Sequence, residues 1–114
     1  MSHQKFKDCI DACVVCAVAC SHCATECLKE QDVKMMLRCI QLDLECASIC
    51  RSAAELMSLG SEFSHHLCGV CADVCNACAD ECEKHASMGM DHCRECAEAC
   101  RRCARACEEM ATAA

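Results

Sequence analysis

The sequence predicts an all-α fold, an up-down-up-down antiparallel four-helix bundle with a Cys-lined core. Three observations carry that prediction. The 114-residue chain has no Pro, Trp or Tyr, three Gly and two Phe; strands and their turns draw on those residues, whereas long helices do not. Nineteen residues are Cys, in four groups whose gaps alternate largely between three and four, the 3.5-residue period of a helix packed along a seam. The breaks between groups are short, so successive helices must run antiparallel. A chain of this length makes one domain, 1–114.

The first helix is expected over residues 4–29, carrying Cys9, Cys13, Cys16, Cys20, Cys23 and Cys27 at gaps of 4, 3, 4, 3 and 4. The second is expected over 32–59, with Asp32 as N-cap and Gly60 as the stop. Its stripe is sparser: Cys39, Cys46 and Cys50, with Asp43, Ala53 and Met57 at the remaining seam positions. The third, over 61–85 with Ser61 as cap, carries Cys68, Cys71, Cys75, Cys78 and Cys82. Residues 86–90 read as a loop, and Asp91 caps a fourth helix over 91–111 with Cys93, Cys96, Cys100, Cys103 and Cys107. Antiparallel stacking then predicts layers. Cys27, Cys39, Cys82 and Cys93 meet at one end, Cys16, Cys46, Cys75 and Cys100 in the middle, and Cys9, Cys68 and Cys107 at the other end.

Composition also excludes classes of function. A net charge of −7 without stacking aromatics argues against nucleic acid. The longest uncharged stretch, Ala12–Thr25, holds Ser21 and His22 and is too short to span a bilayer. Residues Met1–Asp8 contain no apolar signal core. The reading is therefore a cytoplasmic chain with no membrane partner. In that compartment dense Cys means metal or redox chemistry, and an odd number of Cys prevents complete pairing.

One or two buried Cys are commonly plain small hydrophobes; nineteen on seams are not. Cys is small, so such a seam leaves the bundle axis under-filled, and voids cost about 24 cal/mol per Å3. Soft thiolates select soft metals to fill it. Charge separates the candidates. Tetrahedral zinc uses about four thiolates per ion, so this chain would take about 4–5 zinc ions and keep roughly nine to eleven uncompensated negative charges. Bridging thiolates would raise that zinc load. Cu(I), at about one ion per thiolate, cancels the charge nearly completely, and pairs at i,i+3 and i,i+4 suit its low coordination number. The core could hold on the order of 15–20 Cu(I) ions per chain.

The six cysteines at 4-3-4-3-4, the segment Cys39-Ile40-Gln41-Leu42-Asp43-Leu44-Glu45-Cys46-Ala47-Ser48-Ile49-Cys50, and the run from Cys93 to Cys107 resemble the copper storage proteins. The missing signal segment is similar to their cytosolic branch. The resemblance spans the whole chain. It implies a four-helix bundle filled with Cu(I), assembled as a homotetramer, and a role in storage. The partners expected are copper ions and a copper chaperone or a copper-requiring enzyme, which of the two the sequence does not specify.

Outside the stripes, one end collects Met35, Met36, His85, Met88, Met90 and His92. Thioether and imidazole hold Cu(I) less tightly than thiolate, which suits capture and hand-over; His85, His92 and Met90 are the candidate ligands. Met35 and Met36 also read as core and the histidines as solvated. Acidic residues at this end (Glu26, Glu30, Asp32, Asp80, Glu81, Glu83, Asp91) outnumber Lys29, Lys34 and Lys84, either attracting cations or forming a solvated rim. At the opposite end Met57 and Met110 favour apolar closure, and His3, His22, His65 and His66 read as surface residues. Asp43 faces inward to bind or flank copper or to accept a hydrogen bond, or edges out beside Leu42. Ile10, Val14 and Val18 give the first helix a second apolar face, the candidate subunit interface. Leu37, Leu44, Ile49, Leu67, Val70 and Val74 are expected to be buried beside the stripes.

Two other functions compete. A thiol–disulfide oxidoreductase needs a reactive Cys pair at a helix N-terminus, and here each Cys-x-x-Cys belongs to a longer stripe and no lone pair is set at a helix N-terminus. A zinc-binding or zinc-storage protein fits the ligand type but leaves the charge. Iron–sulfur sites draw their cysteines from irregular runs rather than straight stripes. The chain is therefore read as a non-enzyme.

Overall fold

A computed structural model describes residues 2–113, with side chains described from Phe6 onward; His3, expected on the surface, lies outside the described side chains. Four helices follow one another: α1 (Ser2–Cys27), α2 (Leu37–Ser58), α3 (Ser64–Ala86) and α4 (Asp91–Thr112). A 3-10 turn over Val33–Met36 leads into α2. The helices pack side by side, α1 on α2 and α4, α3 on α2 and α4, in a bundle 48 Å long and about 18 Å across. Among the described residues there is no strand.

The ends differ from the expected ones for local reasons. After Cys27 the backbone tightens to i→i+3 bonds, Lys29 N to Glu26 O and Glu30 N to Cys27 O, which stops α1 at its last seam cysteine. Asp32 makes no side-chain cap; its carbonyl accepts from Met35 N at 3.1 Å and starts the 3-10 turn. Ser61 caps the connecting turn through Phe63 N at 3.0 Å, so α3 starts at Ser64. Asp91 is the first residue of α4 rather than its cap, and it pairs with Arg94 at 2.8 Å. Gly60 closes α2 at φ 65°, with Gly60 N bonded to Met57 O and Ser61 N to Leu56 O. That is a Schellman motif, which needs a left-handed residue.

Each seam extends beyond its cysteines at the same spacing. Phe6 precedes Cys9, Met36 precedes Cys39, Ser64 precedes Cys68, His85 follows Cys82 and Met110 follows Cys107. Beside the seams lie alanines seven apart, Ala17 and Ala24, Ala47 and Ala54, Ala72 and Ala79, Ala97 and Ala104, all buried. Small side chains there let the helices approach closely, and this corrects one expectation. Leu37, Leu44 and Val70 are exposed and Ile49, Leu67 and Val74 half-buried, because Cys and Ala already fill the interior. The same composition makes Phe6–Cys27 long and apolar enough to cross a membrane, at a mean hydropathy of 1.4. That longer span includes Lys7, Asp8, Asp11 and Glu26, so Ala12–Thr25 remains the longest uncharged run. In the fold its Cys and Ala face packs into the bundle.

Candidate metal centre

All 19 cysteines are buried and unpaired, and their sulfurs form the predicted layers. At the α1–α2 loop end Cys27 lies 3.9 Å from Cys39 and 4.0 Å from Cys93, and Cys39 lies 3.6 Å from Cys82. In the middle Cys16 lies 3.8 Å from Cys46 and 3.7 Å from Cys100, and Cys46 donates to Cys75 at 3.6 Å. At the far end Cys9 meets Cys107 at 3.7 Å, and Cys68 donates to Met57 Sδ at 3.6 Å. Intermediate contacts, such as Cys96 to Cys20 and Cys103 to Cys13, both 3.7 Å, fill the spaces between layers. These separations are far above the roughly 2.05 Å of a disulfide.

Several sets of four sulfurs lie within 4.8 Å of one another, and the sets overlap. Cys16 and Cys46 join Cys50 and Cys75 in one set and Cys20 and Cys100 in the next; Cys20 and Cys100 then join Cys78 and Cys96. Overlap lets one sulfur serve two neighbouring ions, the bridging that low-coordinate Cu(I) uses and that separate zinc tetrahedra do not. The thiols also share protons. The hydrogen bond with Cys23 above all, and that with Cys93, bring Cys27 down to about 7 against the opposing effect of Cys39, whereas Cys23, buried and hydrogen-bonded to Cys27 and Cys93, is held far above the ordinary thiol range.

Asp43 is fully buried, so it does not edge out to solvent. Its Oδ1 accepts from Cys78 at 3.2 Å, Cys96 at 3.3 Å and Cys82 at 3.7 Å, and its Oδ2 from Cys39 at 3.9 Å. It thereby joins the end layer to the next one inward. Burial above all, then the charges of Cys82 and Cys39, push its carboxyl up to about 8, against the pull of the Cys78 thiol donor.

The residues expected to receive copper lie at the end layer. His92 Nε2 lies 3.6 Å from Cys27 Sγ and 3.6 Å from Glu30. His85 is buried with Nε2 3.0 Å from Glu81 Oε2, Met36 is fully buried and Met90 half-buried. Met35 and Met88 are exposed and sit outside this group. Of the two methionines that also read as core, Met36 is core and Met35 is not; Met36 lies on the α2 seam three residues before Cys39. The acidic rim is largely paired, because Arg38, Arg94 and Arg101 join the lysines. Arg101 reaches Asp80 at 2.6 Å and Glu83 at 2.9 Å, and Arg38 reaches Glu81 at 3.6 Å. At the far end Met57 is fully buried and Met110 half-buried. His65 is half-buried, not a surface residue: its Nδ1 meets the Met110 carbonyl at 2.5 Å and its ring lies edge-on to Phe6 at 5.8 Å. His22 and His66 are exposed.

These features define a class, a four-helix bundle whose interior is a continuous thiol array. The sequence model of the copper storage proteins matches residues 2–112, and the chain belongs to that family. The fold aligns with Cu(I)-bound copper storage protein BsCsp3 at 46% identity and a TM-score of 0.88, over 94% of this chain and 98% of that one. It aligns with a cytosolic copper storage protein from Streptomyces lividans, loaded with five coppers, at 40% identity and a TM-score of 0.91, over 96% and 94%. The uncharacterized cysteine-rich protein YhjQ of Bacillus subtilis is 48% identical over 65 residues, 57% of this chain and 60% of the relative's own length.

Proposed function

We propose that this protein stores Cu(I) in the cytoplasm, on the order of 15–20 ions per chain, without catalysis. The observation that carries it is the overlap of the sulfur sets through the middle of the bundle, with further four-sulfur sets toward both ends. All 19 cysteines, Cys9 to Cys27 on α1, Cys39, Cys46 and Cys50 on α2, Cys68 to Cys82 on α3 and Cys93 to Cys107 on α4, serve as thiolate ligands. Asp43 flanks the copper of the outermost layers, and His85, His92 and Met90 receive incoming ions. The S. lividans relative's description as cytosolic supports the compartment. Anaerobic titration of the reduced chain with Cu(I) tests the reading. A plateau on the order of 15–20 equivalents is expected; a plateau near four or five with stronger retention of zinc would overturn it in favour of a zinc protein.

The homotetramer belongs to the same proposal. Val14, Val15 and Val18 are 51%, 52% and 65% exposed on one side of α1, and Ile10 is half-buried beside them. Val14→Lys with Val18→Glu should reduce the sedimentation mass of the reduced protein to that of a monomer. An unchanged mass would place the interface elsewhere, and a monomeric parent protein would remove the tetramer.

A further inference from the structure

We propose that Glu81 is a positioning residue for copper uptake: its carboxylate takes the Nε2–H of His85 and leaves Nδ1 as the buried lone pair that captures the incoming ion. This rests on the reading of His85 as an uptake ligand. His85 continues the α3 seam one step past Cys82, at the end layer, and is 3% exposed. Its Nε2 is 3.0 Å from Glu81 Oε2. The other carboxylate oxygen is held by Lys84 at 3.4 Å and, from α2, by Arg38 at 3.6 Å. A carboxylate between two cations only accepts hydrogen bonds, so Nε2 carries the proton and the neutral ring keeps its lone pair on Nδ1. Nδ1 is buried and has no hydrogen-bond partner among the described residues.

A buried polar atom without a partner calls for an account, and a ligand supplies it. Histidines that bind metals characteristically donate the other ring N–H to a carboxylate or carbonyl, which fixes the ring and raises its basicity. Glu81 is itself an unusual residue to find 7% exposed, since glutamates are rarely buried unless paired. His92 is arranged differently: the same nitrogen, Nε2, faces both Cys27 and Glu30. The step is a ligand exchange. Cu(I) leaves a donor ligand and takes the Nδ1 lone pair, with no proton displaced and no change of oxidation state. Passage inward to the Cys82 thiol then releases that thiol's proton to solvent.

The test is stopped-flow uptake of Cu(I) from a weak chelator by the full chain, beside His85→Ala, Glu81→Ala, Glu81→Gln and the double variant Glu81→Ala/His85→Ala. Removing such a partner typically costs about 10–100-fold, so Glu81→Ala should be slowed by about that factor. Glu81→Gln, whose amide oxygen still accepts, should stay near the parent rate. The double variant should be no slower than His85→Ala, because Glu81 acts through the ring. A double variant slower than His85→Ala by the full Glu81→Ala factor would assign Glu81 a structural or charge role and overturn the proposal. A parent rate in His85→Ala would remove the uptake reading itself, and this proposal with it. Nitrogen-15 NMR of the metal-free parent needs no variant. A protonated Nε2 and bare Nδ1 on His85 support the assignment, and a proton on Nδ1 overturns it even where His85→Ala is slow.

Discussion

Replacing His85, His92 and Met90 together by Ala will slow Cu(I) uptake from a weak chelator by about 10-fold or more while leaving the final copper content nearly unchanged; the factor is that of disturbing a metal-binding histidine. The two ends of the bundle differ in chemistry, and the slowing follows from that difference. At the α1–α2 loop end, imidazole and thioether groups stand beside the outermost sulfurs, with His92 Nε2 3.6 Å from Cys27. An ion arriving there meets weaker ligands first and thiolates next, so each inward transfer is downhill. Capacity resides in the 19 core cysteines, which the triple variant leaves in place.

At the opposite end the ligands are already engaged. Phe6 is buried against the edge of His65, His65 Nδ1 is committed to the Met110 carbonyl, and Met57 accepts the Cys68 thiol. Replacing His65 and His66 should therefore leave the uptake rate unaltered. Stopped-flow traces with the final stoichiometry recorded decide the matter. Equal slowing from both ends, or slowing from neither, would mean that copper does not pass through the His85 end.

The bundle was legible because its signal is redundant. A 3-4 spacing held across four segments fixes helix type, inward face and layer at once, so the meetings of Cys27 with Cys39 and of Cys16 with Cys100 follow from counting. The flanking positions were less legible. A Leu or Val beside a stripe reads as core in an ordinary bundle, yet here Leu44 is 56% exposed. The interior is narrow because of the heptad-spaced alanines, so a Leu or Val beside them is pushed outward. Seam ends were hidden for a related reason: Met36 and His85 are not cysteines, so their place on the stripe shows only when the spacing is extended past it. Pairings across the rim, such as Arg101 with Asp80 and Glu83, depend on which helix faces which and have no local sequence signal.

Substituting Asp43→Asn will flatten the pH dependence of stability of the reduced, metal-free protein. That form should be strongly helical by circular dichroism, since neutral Cys is a small hydrophobe and the seams stay packed without metal; a random-coil spectrum would refute this. Asp43 is fully buried and its carboxyl is pushed up to about 8, against an ordinary value of 3.8. Below about pH 4 the carboxyl is neutral in both folded and unfolded chains, and its contribution to stability is fully present. Between about pH 4 and 8 the unfolded chain gives up this proton while the folded chain retains it, so stability falls as pH rises, and above about 8 the loss levels off. A difference of this size corresponds to several kcal/mol, at about 1.4 kcal/mol per pKa unit. The amide introduced by the substitution cannot ionise, so the variant should lack this slope and be the more stable form at pH 8. Both chains carry the same thiols, and only those that face Asp43, above all Cys82 and Cys39, titrate differently between them. Urea unfolding under reducing, metal-free conditions at pH 5 and pH 8 measures it. Parallel losses in parent and variant would show that Asp43 is already ionised in the folded core. Copper changes the sign of the argument. A cation beside Oδ1, where Cys78 and Cys96 converge, favours the carboxylate, so loading should draw the Asp43 proton out with those of the thiols. The parent protein should accordingly release one more proton than Asp43→Asn when both are filled at pH 6.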